Sequence, residues 1–151
     1  MNSARPKVLN TICGKSLLGY ILDAQIESGI SRIIIVCNSE NIDLIRASID
    51  KDIEIDYVIQ SKQLGTADAL KVAVKCTSFK DISNLFVFLG DTPLITQSDI
   101  TNLSDSLKSN DILIASFETE NPTGYGRIIR DNEGRVCNII EEGDATTEEK
   151  S

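Results

Sequence analysis

The chain has 151 residues, 41% hydrophobic and 25% charged, a length and balance that suit one soluble domain with one core. Its 23 acidic residues outnumber 15 basic ones for a net charge of −8, which argues against nucleic acid, whose binding rests on Lys and Arg neutralising phosphates. It has no histidine, so His triads, His metal sites and His general bases are excluded, leaving carboxylates, lysine, backbone N–H groups or a metal held by oxygen.

Residues 16–29 read as a helix. Leu17, Leu18, Ile21, Leu22 and Ile26 share a face, Ser16 is the expected N-cap and Gly29 the expected stop. Residues 32–37, RIIIVC, are a short β-branched run, the pattern of a strand buried on both faces. Ser39 is expected to cap a helix reaching about Ile49, with Ile42, Ile45 and Ile49 inward. A strand over residues 54–60 and a helix over 65–76 follow, the latter with Leu70, Ala73 and Val74 inward.

Residues 85–89, LFVFL, give the strongest strand signal. A helix over 98–109 carries Ile100, Leu103 and Leu107 on one face, and a strand is predicted over 111–117. From Gly126 the pattern changes to RIIRD, then Asn132-Glu133-Gly134, then RVCNIIEE, a β-hairpin with a glycine-containing turn. The acidic, polar tail from Glu141 reads as exposed and frayed, or as a cut-off segment.

Strands alternating with helices imply βαβ units and a mostly parallel sheet, whose ligands bind at the carboxyl ends of the strands. Gln60 and Gly90-Asp91 lie at such ends. A carboxylate at Asp91 can hold Mg²⁺ beside a triphosphate, or turn the loop by bonding local N–H groups. Gly65 lets backbone approach a planar base, the Gln60 amide can offer donor and acceptor, and helix-start N–H groups at Thr66 can face a ligand; a capped helix entry is the plain alternative. Lys7 is a compact ammonium suited to phosphate, or a solvated lysine. The apolar runs are too short to span a bilayer, no secretory h-region precedes Pro6, and the four cysteines form no CxxC pair. A cytoplasmic protein with reduced thiols and no membrane partner is expected.

The segments PKVL (6–9), QLGTADAL (63–70), FLGDTPLI (88–95), PTGYGRIIRD (122–131) and IIEEGDAT (139–146) resemble, in this order and spacing, the uridyltransferase domain of bacterial bifunctional N-acetylglucosamine-1-phosphate uridyltransferase/glucosamine-1-phosphate acetyltransferases. The resemblance implies a Rossmann-like α/β nucleotidyltransferase domain over residues 1–151. Its C-terminal β-hairpin would be present, and its first strand and Gly-rich loop would be missing ahead of Met1. The family's β-helix acetyltransferase domain would be absent, and with it the homotrimer that domain supports.

The implied reaction joins UTP and N-acetylglucosamine 1-phosphate into UDP-N-acetylglucosamine and pyrophosphate with Mg²⁺, for cell-wall peptidoglycan and lipopolysaccharide precursors. By resemblance Lys7 contacts phosphate, Asp91 ligates the metal, Gln60 and Gly65 read uracil beside Thr66, and Gly126 and Glu141 contact the sugar. Ala67-Asp68 stands where the family usually has Gly-His, and Gly143 where it often has Lys. A related sugar-1-phosphate nucleotidyltransferase with another base or sugar, or an inactive or truncated fragment, is the alternative. Residues 1–151 alone are expected to be marginally stable and to show no detectable uridyl transfer.

Overall fold

The computed structural model describes residues 5–51, 53–76, 78 and 82–150; Met1, ahead of which the family's first strand and loop were expected to be missing, lies outside them, as does Ser151. The chain divides into two compact units, Met1–Leu113 and Ile114–Ser151.

The first unit opens with a single 3-10 turn, Lys7–Leu9, whose Leu9 is buried. A two-residue hairpin follows, β1 (Thr11–Ile12) against β2 (Lys15–Ser16). Its turn places both Cys13 and Gly14 at positive φ, 51° and 83°, the backbone that a two-residue hairpin of this hand requires. Helix α1 (Leu17–Glu27) starts on Ser16, whose Oγ accepts from the Gly19 N–H. It ends at Gly29, φ 77°, as predicted.

Strand β3 (Ile33–Cys37) pairs in parallel with β4 (Ile55–Ile59), in register Ile33 to Ile55. Arg32 pins the start of this pair, donating through Nε and Nη2 to Asp56 Oδ2 at 2.9 and 2.7 Å. Between the strands lies α2 (Ile42–Ser48). It begins after Asn41, not Ser39, because the Asn38 side chain accepts from the Asn41 N–H and holds residues 38–41 in a turn. The core cluster joins Leu9, Leu18, Leu22, Ile33 and Ile45, with Ile35, Cys37, Ile55 and Tyr57 packed against it. One face of β3–β4 is therefore covered by α1 and α2, and α3 (Thr66–Cys76) also packs on these strands. Of the positions expected inward on α3, Ala73 is buried, but Val74 is 47% exposed. Helix α4 (Gln97–Leu107) packs on α1, with Gln97 Nε2 donating to Glu27 O. Its capping box joins Thr96 and Asp99, two residues ahead of the predicted start.

The strands predicted over 85–89 and 111–117 have no ladder partner among the described residues. A strand needs a neighbour, and β3 is bonded along β4 alone. A cavity of about 690 Å³ lies between β3 and residues 85–90, lined by Ile34 and Val36 on one side and Leu85 and Val87 on the other. An apolar run alone does not make a strand, and among the described residues the ladder expected around this one is missing.

Asp23 on α1 forms ion pairs with both Lys15 and Lys51. Burial pushes its carboxyl pKa up, but hydrogen bonds and charge from the two lysines outweigh this and leave it below the ordinary value. A lowered folded pKa adds stability above the unfolded value, about 3.9, that disappears as pH falls through the folded pKa. Asp23→Asn should thus lower the Tm at pH 7, with the deficit shrinking toward about pH 2. An equal deficit at both pH values would contradict this.

The second unit is the predicted hairpin, β5 (Arg127–Arg130) antiparallel to β6 (Val136–Ile140), with an irregular register between Ile129 and Arg130. Asp131 Oδ1 closes its turn, accepting from the N–H groups of Glu133 and Arg135. The tail is not frayed over its described length. Glu141 O accepts from Asp144 and Ala145, Ala145 is buried, and the Thr146 and Glu149 side chains cap one another's backbone.

Candidate active site

Leu9 anchors the 3-10 turn in the core, which fixes Val8 one residue earlier. Val8 lies against Gly90 so closely that a Cβ at position 90 would meet its Cγ1 at 3.0 Å. Thr92 closes the following turn, its N–H and hydroxyl both donating to Leu89 O at 3.2 and 2.7 Å. These contacts bring Lys7 and Asp91, 84 residues apart, into an ion pair with Nζ 2.7 Å from Oδ2. Lys7's side chain is 72% exposed, and surface pairs contribute about 0–1 kcal/mol. The juxtaposition thus adds little to stability; it places a cation beside a carboxylate just after the 85–90 segment that lines the cavity. Gly90→Ala is expected to force this approach apart by a few tenths of an ångström and to weaken phosphate binding more than it lowers the Tm. Paired calorimetric and thermal-melt measurements check this.

Gln60 stands at the carboxyl end of β4, its N–H donating to Cys37 O at 2.8 Å and so extending the ladder one residue. Its Nε2 donates to Gly65 O at 3.3 Å and to Asp68 Oδ2 at 2.8 Å. Gly65 has φ 93°, a backbone that favours glycine, and its carbonyl also accepts from Ala69 in the first turn of α3. Thr66 opens that helix. Gln60, Gly65, Thr66 and Gly90 all line the same cavity, Gln60 at the carboxyl end of β4. Its volume of about 690 Å³ lies in the range of small-molecule sites, roughly 300–1,000 Å³.

In the second unit, Gly126 lies against the end of β6, where a Cβ would meet Ile140 O at 3.3 Å and Glu141 Oε2 at 3.7 Å. Gly126 and Glu141 are therefore neighbours, as the sequence reading paired them. Beside them Arg127 Nη1 faces Glu142 Oε2 at 2.8 Å, an ion contact not directed as a hydrogen bond, and Arg127 Nε has no acceptor among the described residues. Asp68 was noted in the sequence only as a departure from the resembling family, and no role was read for Arg127 or Glu142. Asp68 had a local signal, its helical position three residues after Gly65; the Arg127–Glu142 contact needs the hairpin to form.

Among the described residues no three acidic or cysteine side chains cluster as a metal cage, and all four cysteines are free. Asp91 fits a magnesium site of another kind, because Mg²⁺ keeps several waters and is held by one or two carboxylates together with substrate phosphates. Among the described residues no helix is long and apolar enough to cross a membrane.

The family profile for nucleotidyl transferases matches residues 2–148. The chain belongs to the nucleotidyl transferase family. Among curated relatives of this nucleotidyl transferase, the bifunctional protein GlmU of Sorangium cellulosum is 38% identical over 100% of the chain and 33% of its own length. The GlmU proteins of Thermoanaerobacter pseudethanolicus and Clostridioides difficile are 37% and 36% identical over 100% and 99% of the chain, each over 32% of its own length. The chain thus spans about a third of the length of these relatives. The crystal structure of HddC from Yersinia pseudotuberculosis superposes with a TM-score of 0.68 at 27% identity, over 94% of the chain and 62% of that protein. The Rossmann-like nucleotidyltransferase fold and the family membership expected from sequence are borne out.

Proposed function

We propose that this chain binds UTP and N-acetylglucosamine 1-phosphate and contributes to their conversion to UDP-N-acetylglucosamine and pyrophosphate. The observation that carries the reading is the pairing of Lys7 with Asp91, the residue after Gly90, which lines one cavity together with Gln60, Gly65 and Thr66.

In this reading a phosphate oxygen of the sugar phosphate attacks the α-phosphorus of UTP, and the bond to the departing pyrophosphate breaks. The nucleophile is already ionised at pH 7, since the second pKa of a phosphate monoester is about 6, so no strong protein base is required. That suits a chain without histidine. Lys7 neutralises triphosphate charge, Gln60 meets the base edge, Gly65 lets the base approach the backbone, and the start of α3 at Thr66 directs N–H groups to the ligand. Asp91 would hold Mg²⁺, which when bound supplies charge neutralisation at the phosphates. Gly126 and Glu141 would contact the sugar. Catalysis of this type is positioning plus electrostatics.

The reading is tested by calorimetric titration of UTP, of pyrophosphate and of N-acetylglucosamine 1-phosphate, each into wild type, Gln60→Ala and Glu141→Ala. Gln60→Ala is expected to weaken UTP by about 1–3 kcal/mol and leave pyrophosphate unchanged, because the base alone loses hydrogen bonds. Glu141→Ala is expected to weaken the sugar phosphate and spare UTP. Equal weakening of pyrophosphate by Gln60→Ala would contradict the base assignment.

A further inference from the structure

A primary amide has two N–H donors and one carbonyl acceptor. In Gln60 both donors are engaged, one with Gly65 O at 3.3 Å and one with Asp68 Oδ2 at 2.8 Å. The orientation of the amide is chemically forced, because an ionised carboxylate accepts and does not donate, so the nitrogen must face Asp68. The group left to meet a ligand is Gln60 Oε1, an acceptor. Asp68 itself sits in the first turn of α3, where the helix N-terminus favours a negative charge.

We propose that Asp68 is a specificity-determining positioning residue: it locks Gln60 with its carbonyl outward, selecting a base that presents a ring N–H, the imide of uracil or thymine. Cytosine carries a lone pair at the corresponding ring nitrogen, and two acceptors facing each other leave a polar group unsatisfied. This rests on the reading that Gln60 faces the base; what it adds is the direction of the hydrogen bond and the residue that sets it. It also gives a physical role to a position where the chain has Asp68 in place of the histidine usual in the resembling uridyltransferases.

The test compares UTP and CTP affinities, by titration calorimetry, for the full chain and for Asp68→Asn and Gln60→Ala. Asparagine can offer Gln60 either its carbonyl or its amide nitrogen, which leaves the longer contact to Gly65 O, 3.3 Å, as the remaining bias on the Gln60 amide. Asp68→Asn is expected to lower the UTP-to-CTP affinity ratio at least fivefold, with UTP weakened more than CTP. A residue that merely supported the loop would weaken both alike, and that result overturns the inference while leaving the base reading intact if Gln60→Ala still weakens UTP. If Gln60→Ala leaves UTP affinity unchanged, the base reading fails and the inference with it. An NMR measurement on the wild-type chain stands independently of the variants' folding. On adding UTP, the Gln60 side-chain carbonyl resonance should shift while its Nε2 resonance stays near its free position. A large shift of Nε2 with a stationary carbonyl overturns the proposal.

Discussion

Asp91→Asn is expected to remove the Mg²⁺-dependent part of UTP affinity, weakening UTP at least tenfold at saturating Mg²⁺, about 1.4 kcal/mol. Without Mg²⁺ its affinity should match that of wild type or slightly exceed it. The argument is the ion pair itself. Lys7 Nζ sits 2.7 Å from Asp91 Oδ2, so in the free protein the carboxylate is held by a cation that the triphosphate is proposed to claim. Removing the carboxylate charge frees Lys7 for phosphate but leaves no anionic oxygen for the metal. Lys7→Ala is expected to act in the opposite sense on the metal, tightening Mg²⁺ while weakening UTP, with a change in stability of at most about 1 kcal/mol. A Mg²⁺ titration of UTP binding in the three proteins separates these effects. Unchanged Mg²⁺ dependence in Asp91→Asn would remove this residue from the metal site.

Leu22→Ala is expected to abolish cooperative folding of the chain. Leu22 and Ile21 are the largest fully buried side chains, and a Leu→Ala change at such a site costs about 2–5 kcal/mol. Domains have about 5–15 kcal/mol in total, and the low end of that range suits this one. The free edge of β3, the unladdered residues 85–89 and the cavity of about 690 Å³ between them mean that part of the sheet's hydrogen bonding and packing is absent among the described residues. Urea denaturation followed by circular dichroism should give wild type a single transition at low denaturant and Leu22→Ala none. A variant that still melts cooperatively near the wild-type midpoint would mean that the core around α1 is not what holds the fold.

The elements legible in the sequence are those with local causes. The stripe of Leu17, Leu18, Ile21 and Leu22, the Ser16 cap and the Gly29 stop each act within a few residues, and α1 follows them. The hairpin of β5 and β6 was legible for the same reason, since the Asp131 and Gly134 turn sets it. What the sequence hides is pairing at a distance. LFVFL reads as a strand by composition, yet whether it joins a ladder depends on a neighbour far along the chain. Val74 fits the helical stripe of α3 but stays exposed, because the helix buries a narrow face at Ala73. At the candidate site, residue types were readable and partnerships were not. Lys7 and Asp91 were each assigned to phosphate and metal, but their contact depends on Gly90 admitting Val8, a fit no local pattern announces. Asp68 was visible as a departure from the resembling family, and its grip on Gln60 became apparent only with α3 in place.

The central claim is that Lys7, Gln60, Gly65, Thr66 and Asp91 form one site for a uridine triphosphate with its magnesium. The most direct measurement is calorimetric titration of the chain with UTP, with and without Mg²⁺, beside CTP and ATP. Saturable one-to-one UTP binding that strengthens with Mg²⁺ and exceeds that of CTP and ATP is the predicted result. No saturable binding, or equal affinity for all three nucleotides irrespective of Mg²⁺, would contradict it.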